Sequence, residues 1–158
     1  MDDREYTEDA NLAALADGPV DMGEVDRGAK DASIAKGWYV TDPENSTVTV
    51  GIAKDSGRNY ARYFGKVVGP EETMWGFGWS WERRNRITKD GENTGKPDNM
   101  YQTYINLVTL YTKVHRESPK RVSDLNAWVR RTPLQVNIIQ GKSGGNFLGN
   151  GQPFKVAE

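Results

Sequence analysis

Arg58, Tyr60, Arg62, Phe64 and Lys66 alternate cation and ring at a spacing of two. In a strand, residues two apart share a face and sit about 6.6–6.8 Å from one another. That repeat is close to the spacing of successive bases in an extended single strand. Rings can stack on bases while the cations between them neutralise phosphates. The intervening residues Ala61, Tyr63 and Val67 are left to pack inward. A purely structural alternative is an edge strand whose charges deter aggregation.

The next apolar run repeats the pattern with larger rings. Trp75, Phe77, Trp79 and Trp81 alternate with Gly76, Gly78 and Ser80, and Arg83, Arg84 and Arg86 follow. The rings form either a stacking platform or a core face with small residues behind it. Lys89 and Lys96 extend the cationic stretch. The candidate nucleic-acid-binding set is therefore Arg58, Tyr60, Arg62, Phe64, Lys66, Trp75, Trp79, Trp81, Arg84 and Arg86.

Other chemistries find little support. The chain has no Cys, hence no thiol nucleophile, disulfide or Cys-ligated metal. Its single His, His115, excludes any site that needs two imidazoles. Gly141-Lys142-Ser143 has the ending of a phosphate loop, but Val136 stands where that loop needs its first glycine. Glu71, Glu72, Glu82, Asp90 and Asp98 fall in turns, strand ends or a loop, and no spacing marks a catalytic pair. The expectation is a protein that is not an enzyme and uses no cofactor or metal.

These residues must be positioned by the larger of two unequal parts. Residues 1–33 hold ten acids against Arg4, Arg27 and Lys30, a net of -7. Residues 34–158 hold 18 cations against 12 acids, a net of +6, and 15 of the 16 aromatics. An acidic, aromatic-poor segment beside a basic, aromatic-rich one predicts an N-terminal arm over 1–33 and a folded domain over 34–158. In the arm, Thr7-Glu8-Asp9 could cap a short helix through Leu12 and Leu15, stopped by Asp17-Gly18-Pro19.

The domain reads mainly as strands. Strands are expected at 38–40, 47–53, 59–68, 74–82, 104–114 and 134–140, with a last one from Phe147. Residues 84–99 are polar, carry Gly91, Gly95 and Pro97, and read as a long mobile loop. The clearest helix is 123–131, with Ser123 as N-cap and Pro133 beyond its end. The stretch 100–114 also fits a helical stripe, but its Thr, Tyr, Ile and Val favour a strand over 104–114. Five to seven strands with one short helix suit a small OB-like barrel.

In the segment Arg58-Asn59-Tyr60-Ala61-Arg62-Tyr63-Phe64, the run Trp75 to Trp81 and the β-rich order with one late helix, the chain resembles the OB-fold single-stranded DNA-binding proteins of bacteriophages. The resemblance implies coating of single strands without sequence preference during DNA replication and recombination. It also implies an acidic tail that recruits partners, whereas here the acidic segment is N-terminal and Pro153-Phe154-Lys155-Val156-Ala157-Glu158 is unlike that tail.

The expected partner is single-stranded DNA, although the pattern itself does not separate DNA from RNA. The arm is expected to contact its own groove or a partner protein, and self-association is compatible with the pattern. One rival is a viral assembly protein whose aromatic strands and arm make subunit contacts. Another is a carbohydrate-binding module, which the cationic flanks disfavour. No apolar run approaches the roughly 18 residues of a membrane span, and Met1-Asp2-Asp3-Arg4-Glu5 is no secretory leader. The expected location is the cytoplasm, that of the host if the protein is viral.

Overall fold

The computed structural model describes residues 33–141 and 145–157. Residues 1–32 of the expected acidic arm, with its short helix, and Lys142 lie outside the described residues. Those described form eight strands and two helices in the order β1 (Gly37–Ile52), β2 (Asn59–Val68), β3 (Glu72–Trp79), β4 (Asn85–Ile87), β5 (Asn93–Pro97), α1 (Asn99–His115), α2 (Val122–Arg131), β6 (Leu134–Gln140), β7 (Asn146–Leu148) and β8 (Phe154–Val156). The fold is mainly β, as the sequence pattern predicts.

One antiparallel sheet runs β3-β2-β1-β6-β7, with β8 also paired to β6. The sheet is not closed, so the expected barrel is open between β3 and β7. β1 serves two parts of this sheet. Residues 37–40 pair with β6, whereas residues 46–52 pair only with β2. Between them the register shifts at a bulge. Asp42 shapes it by accepting from Glu44 N at 3.1 Å and from Asn45 Nδ2 at 2.8 Å. Pro43 fits there because it has no N–H to give a ladder. Across the bulge, a side chain on Gly65 would collide with Ser46, its Cβ lying 2.2 Å from the Ser46 Cβ.

The core lies on the face of the sheet that the helices cover. Ala61, Tyr63 and Val67 of β2 point into it, as their alternation predicts. Trp75, Phe77 and Trp79 of β3 join them, with Val136 and Ile138 of β6 and Phe154 of β8. The Phe77 ring lies 5.3 Å from Tyr63, 5.6 Å from Trp79 and 5.2 Å from Phe154, centroid to centroid. Leu107 and Leu110 of α1, and Leu125, Trp128 and Val129 of α2, complete the layer. Each such buried side chain contributes roughly 1.5–3 kcal/mol.

Residues 104–114, expected as a strand, belong to the 17-residue helix α1. Asp98 caps it by accepting from Tyr101 N at 3.0 Å, and Arg116 ends it at φ 61 with its N–H on Thr112 O. Thr103 and Thr109 donate their hydroxyls to carbonyls four residues back, which accommodates these poor helix formers. Packing of Leu107 and Leu110 then overrides strand propensity. A second helix is thus added to the one expected. That one, α2, has Arg121 at its N-cap position in place of Ser123, and Asp124 stands in its first turn.

The stretch 84–99 is not a structureless loop. It contains the β4–β5 hairpin, which turns at Gly91 with φ +83, a conformation suited to glycine. Thr88 N donates to Glu92 O and Thr94 Oγ1 to Arg86 O. No described helix is long and apolar enough to cross a membrane.

Candidate nucleic-acid interface

The alternation of β2 sets which way each side chain points, but not how much of it reaches solvent. Arg58 is buried, and its guanidinium holds the Asp98 carboxylate with both Nη atoms and donates to Glu82 O at 2.8 Å. Its charge is neutralised inside the protein. Burial acts to raise the Asp98 pKa. Hydrogen bonds from Arg58 and Tyr101 N, with the charges of Arg58 and Arg84, outweigh it and hold the carboxyl below its usual range.

Tyr60 lies on the outer face but is only 1% exposed. Its hydroxyl sits over Gly51, where a Cβ would come within 2.7 Å. Arg62 is 4% exposed and lies against Gly76. Phe64 shares that glycine and is 40% exposed. Lys66 is partly exposed and ion-paired with Glu72 on β3, which raises its pKa.

The indole set divides unequally. Trp79 is fully buried and donates its Nε1–H to Asn126 Oδ1 at 3.1 Å. Trp75 is buried beside Phe77, 6.1 Å away. Trp81 is partly buried against the core. Tyr60, Trp75 and Trp79 are therefore closed off from stacking in this conformation, and Arg58 and Arg62 from phosphate. The physical reason is the same for both Trp: the helices cover the face onto which β3 directs its rings.

Arg84 and Arg86 are exposed, on the hairpin and the turn leading into it. Over residues 83–97, five cations face two acids, Asp90 and Glu92. Arg86, Lys89 and Lys96 converge with Ile87, Thr88 and Thr94 on one groove of about 580 Å³, and no acid lines it. The hairpin is tethered at its base, where Arg84 Nη2 donates to Ser56 O at 3.3 Å and Asp98 N to Arg84 O at 2.8 Å. Arg83 lies 5.9 Å from the centroid of the Tyr101 ring.

No family model, curated protein or solved structure matches this chain. Arg86 stands together with Lys89 and Lys96, with Arg84 at the hairpin base, whereas Phe64 lies six residues along the chain from Arg58, about 20 Å away at strand rise. The sequence pattern marked the cations of the hairpin, but not that three of them share one groove. It also missed an amide-lined cleft containing Asn99, Gln102, Asn106, Asn146 and Asn150. Asn146 and Asn150 stand in the Gly-rich stretch 141–151, whereas Asn99, Gln102 and Asn106 come from α1, some forty residues earlier. Among the described residues, no group of three or more His, Asp or Glu could hold a metal ion.

Proposed function

We propose that this protein binds single-stranded DNA without catalysis, by its phosphate backbone and without sequence preference. The supporting observation is the acid-free groove of the β4–β5 hairpin, where Arg86, Lys89 and Lys96 converge. Three cations on one face can displace the counter-ions of neighbouring phosphates, which makes binding weaken as salt rises. Thr88 and Thr94 add hydroxyls at the same surface. Stacking falls to Phe64, the ring of the candidate set most open to solvent, and to Trp81 near the hairpin base. Such binding would serve DNA replication or recombination in the cytoplasm of a host cell, as the resemblance to bacteriophage proteins implies.

The test is titration with oligo-dT at low and high salt, with duplex DNA as the comparison. Binding that weakens with salt and favours the single strand supports the proposal. Phe64→Ala should lower oligo-dT affinity about tenfold, within the range of one base–aromatic stack. Equal affinity for duplex would remove the single-strand preference, and salt-insensitive binding would remove the phosphate groove.

One observation favours the assembly reading. Trp38, Phe64, Val68, Met74 and Phe147 are exposed on the sheet face that the helices leave open. An apolar patch of this kind marks association surfaces. A stable oligomer in light scattering that dissociates on Met74→Lys, with no affinity for DNA, would select that reading.

A further inference from the structure

The amide-lined cleft has a volume of about 820 Å³ and lies at the open seam of the sheet, where β3 and β7 are the outer strands. Small-ligand sites occupy about 300–1,000 Å³. One side is a stripe of α1 with Asn99, Gln102 and Asn106, which their spacing of three and four residues brings onto a single face. The facing side is β7 and the turn after it, with Phe147 and Asn150.

The two sides are tied to each other. Gln102 Nε2 donates to Asn106 Oδ1 at 3.1 Å, Asn106 Nδ2 to Gly151 O at 3.1 Å, and Gln152 Nε2 to Asn106 O at 2.9 Å. Helix and turn are thereby pinned together, which lowers the ordering cost of binding a ligand between them. Asn99 and Asn150 are exposed, and their carboxamides have no partner among the described residues. The Phe147 ring lies over Gly141, where a Cβ would come within 2.5 Å, and is 49% exposed. It therefore offers a ring backed by main chain.

These groups select a class of ligand. Among the described residues lining the cleft there is one cation, Arg62, itself 4% exposed, and no acid. Nothing there balances a metal ion or an ammonium group, and little positive charge reaches a phosphate. A carboxamide donates and accepts at once, as a hydroxyl does. Several carboxamides around one open ring thus suit a neutral molecule with an apolar face and a rim of hydroxyls. A nucleobase is instead held between two apolar faces, and the other rings here, Trp75 and Phe77, are only 3% and 5% exposed.

We propose that the cleft binds a short neutral oligosaccharide, with one sugar ring packed on Phe147 and its hydroxyls bonded by Asn99, Gln102 and Asn150. This site is separate from the hairpin groove and does not depend on nucleic-acid binding.

The probes are cellotriose, maltotriose and chitotriose, each added to the isotope-labelled full-length protein while amide signals are followed by NMR. With at least one probe, the side-chain signals of Asn99, Gln102 and Asn150 should shift saturably, with the Thr88 and Thr94 backbone amides of the hairpin unmoved. The affinity should be the same at low and high salt, because the ligand carries no charge to screen. Asn99→Ala/Asn150→Ala removes two exposed amides that hold nothing in the fold, and should weaken binding about tenfold. No shift with any of the three sugars at millimolar concentration overturns the proposal. So does an unchanged affinity in the double variant. Deoxyadenosine shifting the same signals where the sugars do not overturns it in favour of a base pocket. Failure of oligo-dT to bind would leave all of these results unaltered.

Discussion

The Arg58–Asp98 pair allows a quantitative test of why Arg58 is withheld from any ligand. Arg58 is held by both Asp98 oxygens and by Glu82 O, with 8% of its side chain exposed against 25% for Asp98. Asp98→Asn keeps the shape and an oxygen for capping Tyr101 N, but leaves the guanidinium without its counter-charge. Breaking a buried pair costs about 3–5 kcal/mol, and the exposure of Asp98 lowers the expected figure to about 2–3 kcal/mol. With a urea dependence of about 1.5 kcal/mol per M, the unfolding midpoint should fall by about 1.3–2 M, followed by tryptophan fluorescence. Arg58→Met combined with Asp98→Asn should recover most of the loss, since methionine needs no counter-charge. A midpoint shift below about 0.3 M for Asp98→Asn would refute the reasoning, because Arg58 would then be solvated and available to phosphate.

Three further outcomes are expected. Asp98 has its pKa depressed on folding, so its contribution is present above the unfolded value of about 3.9 and lost as pH falls through the lower folded value; urea midpoints should therefore drop below about pH 4 in the wild type and less steeply in Asp98→Asn. Asn126→Ala strands the buried Trp79 Nε1–H and should cost about 1–3 kcal/mol in urea unfolding, without altering oligo-dT affinity. Gly65→Ala places a Cβ against both the Cβ and the backbone Cα of Ser46, at 2.2 Å and 2.4 Å, and should destabilise by about 1–3 kcal/mol as the bulge opens; a neutral result would show that the bulge yields freely.

What could be read from the sequence was set by how local the deciding interaction is. The inward set Ala61, Tyr63 and Val67 follows from alternation alone, and α2 follows from Leu125, Trp128 and Val129 with Pro133 beyond. α1 is hard to read locally because Thr, Tyr, Ile and Val describe a strand, while Asp98, the cap that starts the helix, stands in a polar, Gly-containing stretch. The hairpin was hidden in the same way, since its strands are three and five residues long and polar. At the site, alternation assigns a face and nothing more. Tyr60 points outward yet is covered, and Arg58 is neutralised by a carboxylate forty residues on, a pairing no local pattern contains. Phe64, Arg84 and Arg86 are exposed, and only the fold shows that Lys89 and Lys96 share a groove with Arg86.

The central claim is that phosphate contact runs through the hairpin groove. The most direct measurement is the salt dependence of oligo-dT affinity for the wild type and for Arg86→Gln/Lys89→Gln/Lys96→Gln. Each cation lost should lower the log–log slope by about 0.7 for a single strand, so the triple variant should be shallower by about 2 with its urea midpoint unchanged. An identical slope in the two proteins would contradict the account.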